Sequence, residues 1–182
     1  MKVVGIVGLP ASGKGEFSRI ALSLGIPVIV MGDVIRKAVE DSGRPLTDKN
    51  LGETAGRIRA EQGMDAIARL CVPEIRKQQA LLVIVDGIRG DSEVQVFRDS
   101  FPGFVLVRID APFGTRLSRI AGRGRPDDNL DGNALKARDE REQAWGLGKA
   151  LEGADYRIDN DGSLESFIRH VMALLEKVKG LP

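Results

Sequence analysis

The sequence predicts an α/β protein with a five-stranded parallel sheet, and two observations carry this prediction. Short runs rich in valine and isoleucine alternate with stretches of helical periodicity along the whole chain. Four of the five runs are almost continuously apolar, which is typical of strands covered by helices on both faces. Repeated alternation of strand and helix favours parallel strands joined by helical crossovers. We expect residues 1–182 to form a single domain, because this length suits one hydrophobic core.

The individual elements follow from the same patterns. Strands are predicted at 3–7, 27–31, 81–85, 104–109 and 156–158. Helices are predicted from 17 to about 24, from Asp33 onward, from about 51 to 79, and at 92–100, 112–121, 133–145 and 164–179. Pro73 is expected to break or kink the helix over 51–79, because proline has no amide hydrogen to donate. Two polar segments, 41–50 and 121–132, are predicted excursions from the core, of a kind that often carries function.

Composition limits the classes of function. The chain has 27 basic and 26 acidic residues, so its formal charge of +1 favours neither a nucleic-acid polymer nor a membrane as partner. Cys71 is the only cysteine, and we expect it to be a buried, inert thiol. No apolar run reaches the roughly 18 residues that a membrane span needs, and the first residues do not resemble a signal peptide. A cytoplasmic protein is therefore expected, with its oligomeric state left open.

The strongest local signal follows the first strand. Residues 8–14 read Gly-Leu-Pro-Ala-Ser-Gly-Lys, which matches a phosphate-binding P-loop. Its glycines let successive N–H groups face phosphate oxygens, and the next helix presents its N-terminus to the same charge. The sequence therefore predicts a P-loop NTPase, a three-layer sandwich, with ATP as cofactor. The predicted cofactor-binding residues are Gly8, Leu9, Pro10, Ala11, Ser12, Gly13, Lys14, Gly15 and Glu16.

The position after Lys14 departs from the usual P-loop. It holds Gly15, so the hydroxyl that commonly binds Mg²⁺ is missing there. Because Mg²⁺ keeps several waters, we expect it to be held through waters near Gly15, Glu16 and Asp86. Glu16 either orients such a water or, as we prefer, favours the helix dipole. Asp86 either holds the metal through water, orients the attacking oxygen, or is a turn residue that caps Gly87.

Four segments resemble those of nucleotide kinases. Residues 8–15 are similar to the loop of adenylate kinases, in which glycine also follows the lysine. Residues 31–36 resemble that family's acceptor segment Thr-Gly-Asp-x-x-Arg, although Met31 replaces the threonine. Residues 86–89 resemble its Asp-Gly-x-x-Arg segment with one residue fewer, and 119–125 resemble the arginine-bearing start of its lid. Residues 154–162 are closer to dephospho-CoA kinases. The chain is most similar to an archaeal group of adenylate-kinase-related proteins.

This resemblance implies an acceptor-binding insertion at about 33–80 and a short lid at about 121–132. The implied catalytic residues are Lys14, Asp86, Arg119, Arg123 and Arg125. The implied acceptor-binding residues are Gly32, Asp33, Arg36, Gly87, Arg89, Arg138 and Arg141. For Arg138 and Arg141, ordinary surface ion pairing with acidic neighbours on their helix is an equal alternative.

Three functions remain open at this point. A kinase acting on nucleoside monophosphates is favoured by the segments 32–36 and 86–89. A kinase of the dephospho-CoA type, which phosphorylates a hydroxyl group, is favoured by 154–162. A non-kinase ATP-binding regulator or slow ATPase is suggested by Gly15 and Met31. All three are predicted to bind ATP, and both kinases need Mg²⁺ and a small acceptor.

Overall fold

The structure is a computed structural model that describes residues 1–123 and 132–180, with only the backbone of Arg123 included. Its five strands are β1 (Lys2–Val7), β2 (Val28–Val30), β3 (Leu82–Ile88), β4 (Phe104–Asp110) and β5 (Tyr156–Asp159). They form one parallel sheet in the order β2-β3-β1-β4-β5. The predicted fold class is confirmed, and each predicted strand is present with small changes at its ends.

Nine helices lie within the described residues. They are α1 (Lys14–Ser23), α2 (Met31–Asp41), α3 (Asp48–Gln62), α4 (Ala66–Arg76), α5 (Asp91–Ser100), α6 (Phe113–Arg123), α7 (Gly132–Ala144), α8 (Leu147–Glu152) and α9 (Leu164–Lys179). Helix α8 was not predicted, because six residues carry too little periodicity. Helix α2 begins at Met31 rather than at Asp33, directly after the short strand β2.

The predicted break at Pro73 is wrong. Pro73 lies inside α4, which continues to Arg76. The helical stretch is instead interrupted at Gly63, which adopts a φ of 100°. That positive φ is readily adopted only by glycine, and it ends α3 after Gln62. The helix thus ends at the glycine, whereas the chain stays helical through the proline.

Two apolar clusters cover the two faces of the sheet. Alternate residues of β1 point to opposite sides, so Val3 joins one cluster and Val4 the other. The first cluster packs α2, α3, α4, α5 and α8 on the sheet, and the second packs α1 and α9. This arrangement is the predicted three-layer sandwich. Cys71 is buried in the first cluster, and burial raises the pKa of its thiol to about 12, as expected of an inert cysteine.

The sheet topology places the phosphate-binding loop at its centre. Strand β1 lies between β3 and β4, so the chain order reverses on either side of it. In open parallel sheets, ligands bind at the carboxyl ends of the strands at such a reversal. Residues 8–13 connect the end of β1 to α1 at this position. None of the described helices is long and apolar enough to cross a membrane.

Candidate active site

A cavity of about 950 Å³ lies at the carboxyl ends of the strands. Fourteen of the predicted site residues line it, namely Pro10, Ala11, Gly13, Lys14, Gly15, Glu16, Gly32, Asp33, Arg36, Asp86, Gly87, Arg89, Arg119 and Arg138. Arg141 lines a smaller cavity of about 100 Å³, which shares Arg36, Arg89 and Arg138 with the larger one. The segments predicted from separate parts of the sequence therefore meet at one place.

The phosphate-binding loop is held by close contacts with its surroundings. Ala11 and Gly13 adopt positive φ values of 61° and 118°. A Cβ atom at Gly13 would collide with the side-chain amide of Asn160, and one at Gly8 would collide with the Ile109 carbonyl. The Asn160 amide donates to the Ser12 carbonyl at 2.8 Å. The glycines are thus required by the packing around the loop as well as by its curvature.

Lys14 is the cation of this loop. Its side chain is 8% exposed, and its ammonium nitrogen donates to the carbonyls of Gly8 at 2.5 Å and Leu9 at 3.0 Å. Burial lowers the pKa of Lys14 to about 7, and the charge of Arg89 adds to this effect. The carboxylates of Glu142 and Asp86 act in the opposite direction. A proton on Lys14 is therefore held weakly near neutral pH unless another anion joins the site.

This lowered pKa predicts how ATP affinity depends on pH. The phosphates of ATP favour protonated Lys14, so binding takes up a proton wherever the free protein has lost it. With a pKa of about 7 in the free protein, ATP affinity should fall about tenfold between pH 6 and pH 8. Arginine keeps its charge over this range, so Lys14→Arg should remove most of this fall. Calorimetric titrations at both pH values would measure it, and an equal fall in both proteins would contradict the assignment.

Asp86 lies within β3 and is not a turn residue. The register between β1 and β3 shifts at this point, since Ile6 pairs with Asp86 and Val7 pairs with Ile88. Gly87 is the extra residue and has a φ of 104°. The Asp86 carboxylate accepts a hydrogen bond of 2.8 Å from the hydroxyl of Ser18, a residue that was not among the predicted site residues.

The donor set near the loop fits Mg²⁺ held mainly by water and phosphate. Among the described residues, no group of three or more acidic, histidine or cysteine side chains could form a metal cage. Glu16 lies in the first turn of α1 and forms an ion pair with Arg19. Asp86 is a carboxylate on the cavity wall without such an ion pair among the described residues. One carboxylate beside bound phosphates is a common way in which proteins hold this ion.

Glu142 organises the arginines on the acceptor side. Its carboxylate lies 2.9 Å from Arg89 Nε and 3.3 Å from Arg138 Nε, and it is 3% exposed. Burial alone would raise the pKa of Glu142, but Arg89, Arg138 and Lys14 outweigh burial and lower it. A buried, ionised carboxylate therefore orients two predicted acceptor-binding arginines.

The ion pairs of Arg138 and Arg141 extend beyond their own helix. Both arginines contact Asp48, the first residue of α3, at 3.4 and 2.9 Å. These pairs are partly buried and join α7 to α3, in addition to the pair of Arg138 with Glu142 within α7. The acceptor-binding role of both arginines stays a prediction. Arg36, the other acceptor-side arginine, pairs with Asp33 within α2. Arg36, Arg89, Arg138 and Arg141 thus face one region, which in the described part of the chain also holds the carboxylates of Asp33, Asp48 and Glu142.

A buried pair beneath this region fixes the backbone of Arg89. Glu93 is fully buried and accepts hydrogen bonds of 2.6 Å from the Arg59 guanidinium and from the Arg89 amide. The Arg59 guanidinium also lies 4.3 Å from the ring centre of Trp145. Burial raises the pKa of Glu93, while Arg59 and the Arg89 amide oppose that effect. Glu93 therefore links Arg59 of α3, which lies over Trp145, to the segment that carries Arg89.

The lid arginines are described only in part. Arg119 donates to the carbonyls of Ser12 at 3.2 Å and Asn160 at 2.9 Å, so it supports the phosphate-binding loop from α6. Only the backbone of Arg123 is described, at the end of α6, and Arg125 lies outside the described residues. Most of the predicted lid at 121–132 also lies outside them. The catalytic roles of these three arginines stay predictions.

Several residues of the site carried no signal in the sequence. They are Ser18, Asp48, Arg59, Glu93, Arg116, Asp139, Glu142 and Asn160. Arg116 illustrates the reason, because it forms a two-bond pair with Asp139 and donates to the Pro10 carbonyl at 3.2 Å. Such contacts join residues that are far apart in sequence. Asn160 fell within the segment 154–162, and Asp48 and Arg59 fell within the predicted insertion at about 33–80, but none of them was singled out.

Comparison with known proteins is consistent with this architecture. A family model described as an AAA domain matches residues 7–132. A UPF0200 protein of Methanoregula boonei is 58% identical over 182 residues and aligns over 100% of both chains. The chain belongs to the UPF0200 family. A UPF0200 protein of Methanoculleus marisnigri is also 58% identical, over 99% of this chain and 98% of its own length. The predicted archaeal P-loop group is thereby confirmed, while the closer resemblance to adenylate and dephospho-CoA kinases stays a prediction.

Solved structures show that the UPF0200 chain has the fold of P-loop kinases. TT1252 from Thermus thermophilus matches with a TM-score of 0.67 at 22% identity, over 97% of each chain. A shikimate kinase from Bacteroides thetaiotaomicron matches with a TM-score of 0.63 at 14% identity, over 96% of this chain and 98% of that one. A gluconokinase from Sinorhizobium meliloti gives 0.60 at 17% identity, over 98% and 93%. At these identities the likeness concerns the fold alone.

Proposed function

We propose that this protein transfers the γ-phosphoryl group of Mg·ATP to a small anionic acceptor, with a nucleoside monophosphate as the first candidate. One observation carries the proposal: Lys14 lines the same cavity as Arg36, Arg89 and Arg138. Phosphoryl transfer needs a donor and an acceptor held in line, with their charges neutralised, and little covalent chemistry from the protein. A phosphate-binding loop facing a cluster of arginines meets that need.

The donor side is assigned to the loop at 8–16. Its amides and the N-terminus of α1 bind the phosphates, and Lys14 neutralises the β- and γ-phosphates. Asp86 is the residue best placed to hold Mg²⁺ through a water. Bound Mg²⁺ would supply further charge neutralisation on the transferring group. Arg119, Arg123 and Arg125 are proposed to complete that neutralisation from α6 and the lid.

The acceptor side is assigned to α2, the end of β3 and α7. Gly32, Asp33 and Arg36 come from α2, and Gly87 and Arg89 from the end of β3. Arg36, Arg89, Arg138 and Arg141 bring four guanidinium groups to this region, where they could meet an anion on the acceptor. Guanidinium groups bind phosphate or carboxylate through two parallel hydrogen bonds. The acceptor is therefore an anion that also presents the oxygen to be phosphorylated.

The alternative acceptor is a hydroxyl group on a small anion. The tail at 154–162 favours dephospho-CoA, and the names of the neighbouring shikimate kinase and gluconokinase suggest small hydroxy acids. Purified protein with Mg·ATP and AMP, CMP, UMP, dGMP, dephospho-CoA, shikimate or gluconate would separate these possibilities. We expect one acceptor to stimulate ADP release. Slow release that is equal with all of them would favour the slow ATPase or regulator and exclude both kinases.

Arg36 provides a mutational test on the acceptor side. Because it would make a charge-assisted bond to the acceptor anion, Arg36→Gln should raise the acceptor KM about tenfold to a hundredfold. The KM for ATP should change little. Arg98 is a matched control, since its side chain is 39% exposed against 38% for Arg36 and it also pairs with an aspartate. It does not line either cavity. Equal KM values for the two variants would refute the role of Arg36.

A further inference from the structure

A hydroxyl group lies one helical turn beyond the position where the phosphate-binding loop lacks one. Gly15 has no side chain to offer, but Ser18 lies three residues further along α1 and lines the same cavity. Residues three and four apart share a helix face, so Ser18 lies on the face of Lys14 and Gly15. Ser18 is 6% exposed. The serine is therefore a buried polar group on the wall of the donor site.

The geometry indicates where the Ser18 proton goes. The hydroxyl oxygen lies 2.8 Å from Asp86 Oδ2 and 3.1 Å from the Lys14 carbonyl oxygen. A hydroxyl group has a single hydrogen to donate. The carboxylate is the closer acceptor, and bonds to an ionised group are about twice as strong as neutral ones. Ser18 thus donates to Asp86 rather than back into its own helix.

The hydrogen bond from Ser18 orients the carboxylate of Asp86. Apart from Ser18, no group among residues 1–123 and 132–180 forms a hydrogen bond with the Asp86 carboxylate. The backbone of Asp86 is fixed separately, by the register shift next to Gly87. One carboxylate oxygen is therefore held by Ser18, while the other has no hydrogen-bond partner in the described part of the chain.

We propose that Ser18 is a positioning residue for Mg²⁺. Its hydroxyl, one turn further along α1, supports metal binding at a site where Gly15 offers no hydroxyl. Ser18 fixes Asp86 Oδ2, so that the second oxygen is turned to accept a water of the metal shell. Such supporting hydrogen bonds orient a ligand and strengthen metal binding without touching the ion. This inference rests on the proposed function only in that Mg·ATP occupies the loop.

Metal affinity can be tested without any acceptor and without turnover. The protein is loaded with a non-hydrolysable ATP analogue, and Mn²⁺ binding is followed by electron paramagnetic resonance. Losing a supporting hydrogen bond typically lowers metal affinity tenfold to a hundredfold, so Ser18→Ala should weaken Mn²⁺ binding about tenfold. Affinity for the analogue in EDTA should stay unchanged. Ser18→Thr, which keeps the hydroxyl, should retain Mn²⁺ affinity.

Two controls separate positioning from a structural role. Ser23→Ala changes a serine of the same helix whose hydroxyl, among the described residues, bonds only to the Ile20 carbonyl, and it should leave Mn²⁺ binding unchanged. In an Asp86→Asn background, Ser18→Ala should have no further effect, because Ser18 acts through that carboxylate. Unchanged Mn²⁺ affinity in Ser18→Ala, or a full additional loss in the Asp86→Asn background, would overturn the inference. Absence of phosphoryl transfer with every acceptor would refute the proposed function and leave this result standing.

Discussion

Lys14→Met is expected to lower kcat for phosphoryl transfer by about 10²- to 10³-fold, the usual effect of removing one preorganised charge from a transition state. The ammonium is the charge that the loop directs at the β- and γ-phosphates. It is buried beside the loop carbonyls, so water cannot easily replace it. Rapid-quench measurement of ADP formation at saturating Mg·ATP would determine the change.

The same variant should unfold at a higher temperature. The pKa of Lys14 is lowered from 10.5 to about 7, so the folded state holds its proton less tightly than the unfolded state does. This lowering destabilises the free protein fully below pH 7, and the effect declines as the pH rises towards 10.5. Methionine removes that penalty, so the gain in Tm should be larger at pH 6 than at pH 9.

Lys37→Met is the control for both measurements. Lys37 is an exposed lysine on α2 that pairs with Asp41 and lines neither cavity. Its replacement should change kcat and Tm little. Loss of kcat together with a loss of Tm in Lys14→Met would show that the buried lysine supports the fold, contrary to its assignment to the phosphates.

Glu93→Ala is expected to lower the free energy of unfolding by about 3–5 kcal/mol, the usual result when one partner of a buried ion pair is removed. Arg59 of α3 would remain buried without its carboxylate, and the Arg89 amide would lose its acceptor. Denaturant titration at pH 7 would measure the loss. Glu74→Ala is the control, because Glu74 is an exposed partner of Lys77, and it should change stability by less than about 0.5 kcal/mol.

A second variant separates the charge of Glu93 from its packing. Replacing Arg59 and Glu93 together by methionine and leucine should recover much of the lost stability, since no unpaired charge stays buried. The double variant would still lack the acceptor for the Arg89 amide. It should therefore raise the acceptor KM even where stability is recovered. Similar losses of stability in the double variant and in Glu93→Ala would contradict this account.

The sheet and the phosphate-binding loop were predictable because their signals are local. Runs such as 3–7 and 104–109 are apolar on both faces, and a glycine loop between such a strand and a helix has few alternatives. Residues Asp86 and Gly32 were predictable for a related reason, since parallel strands end at the same edge of the sheet. A pattern within a few residues was sufficient in each case.

The rest of the site depends on contacts across the chain. Ser18 and Asp86 are 68 residues apart, and Arg141 and Asp48 are 93 apart. Glu142 appeared as one acidic residue among several on a charged helix, and only the packing of α7 shows that it is buried. The misplaced break at Pro73 has a different cause. Proline is the strongest helix breaker by propensity, so it was named alone, whereas the backbone keeps Pro73 inside α4 and leaves the helix at Gly63.

In the proposed reaction, the phosphate held by Lys14 passes to a small acceptor bound by Arg36, Arg89, Arg138 and Arg141. ATP labelled in its γ-phosphate, mixed with protein and the acceptor that stimulates ADP release, tests this most directly. We expect the label to appear in the phosphorylated acceptor. This transfer should be lost in Lys14→Met, and Arg36→Gln should reduce it at low acceptor concentration. Label found only in inorganic phosphate, at a rate independent of the acceptor, would contradict it.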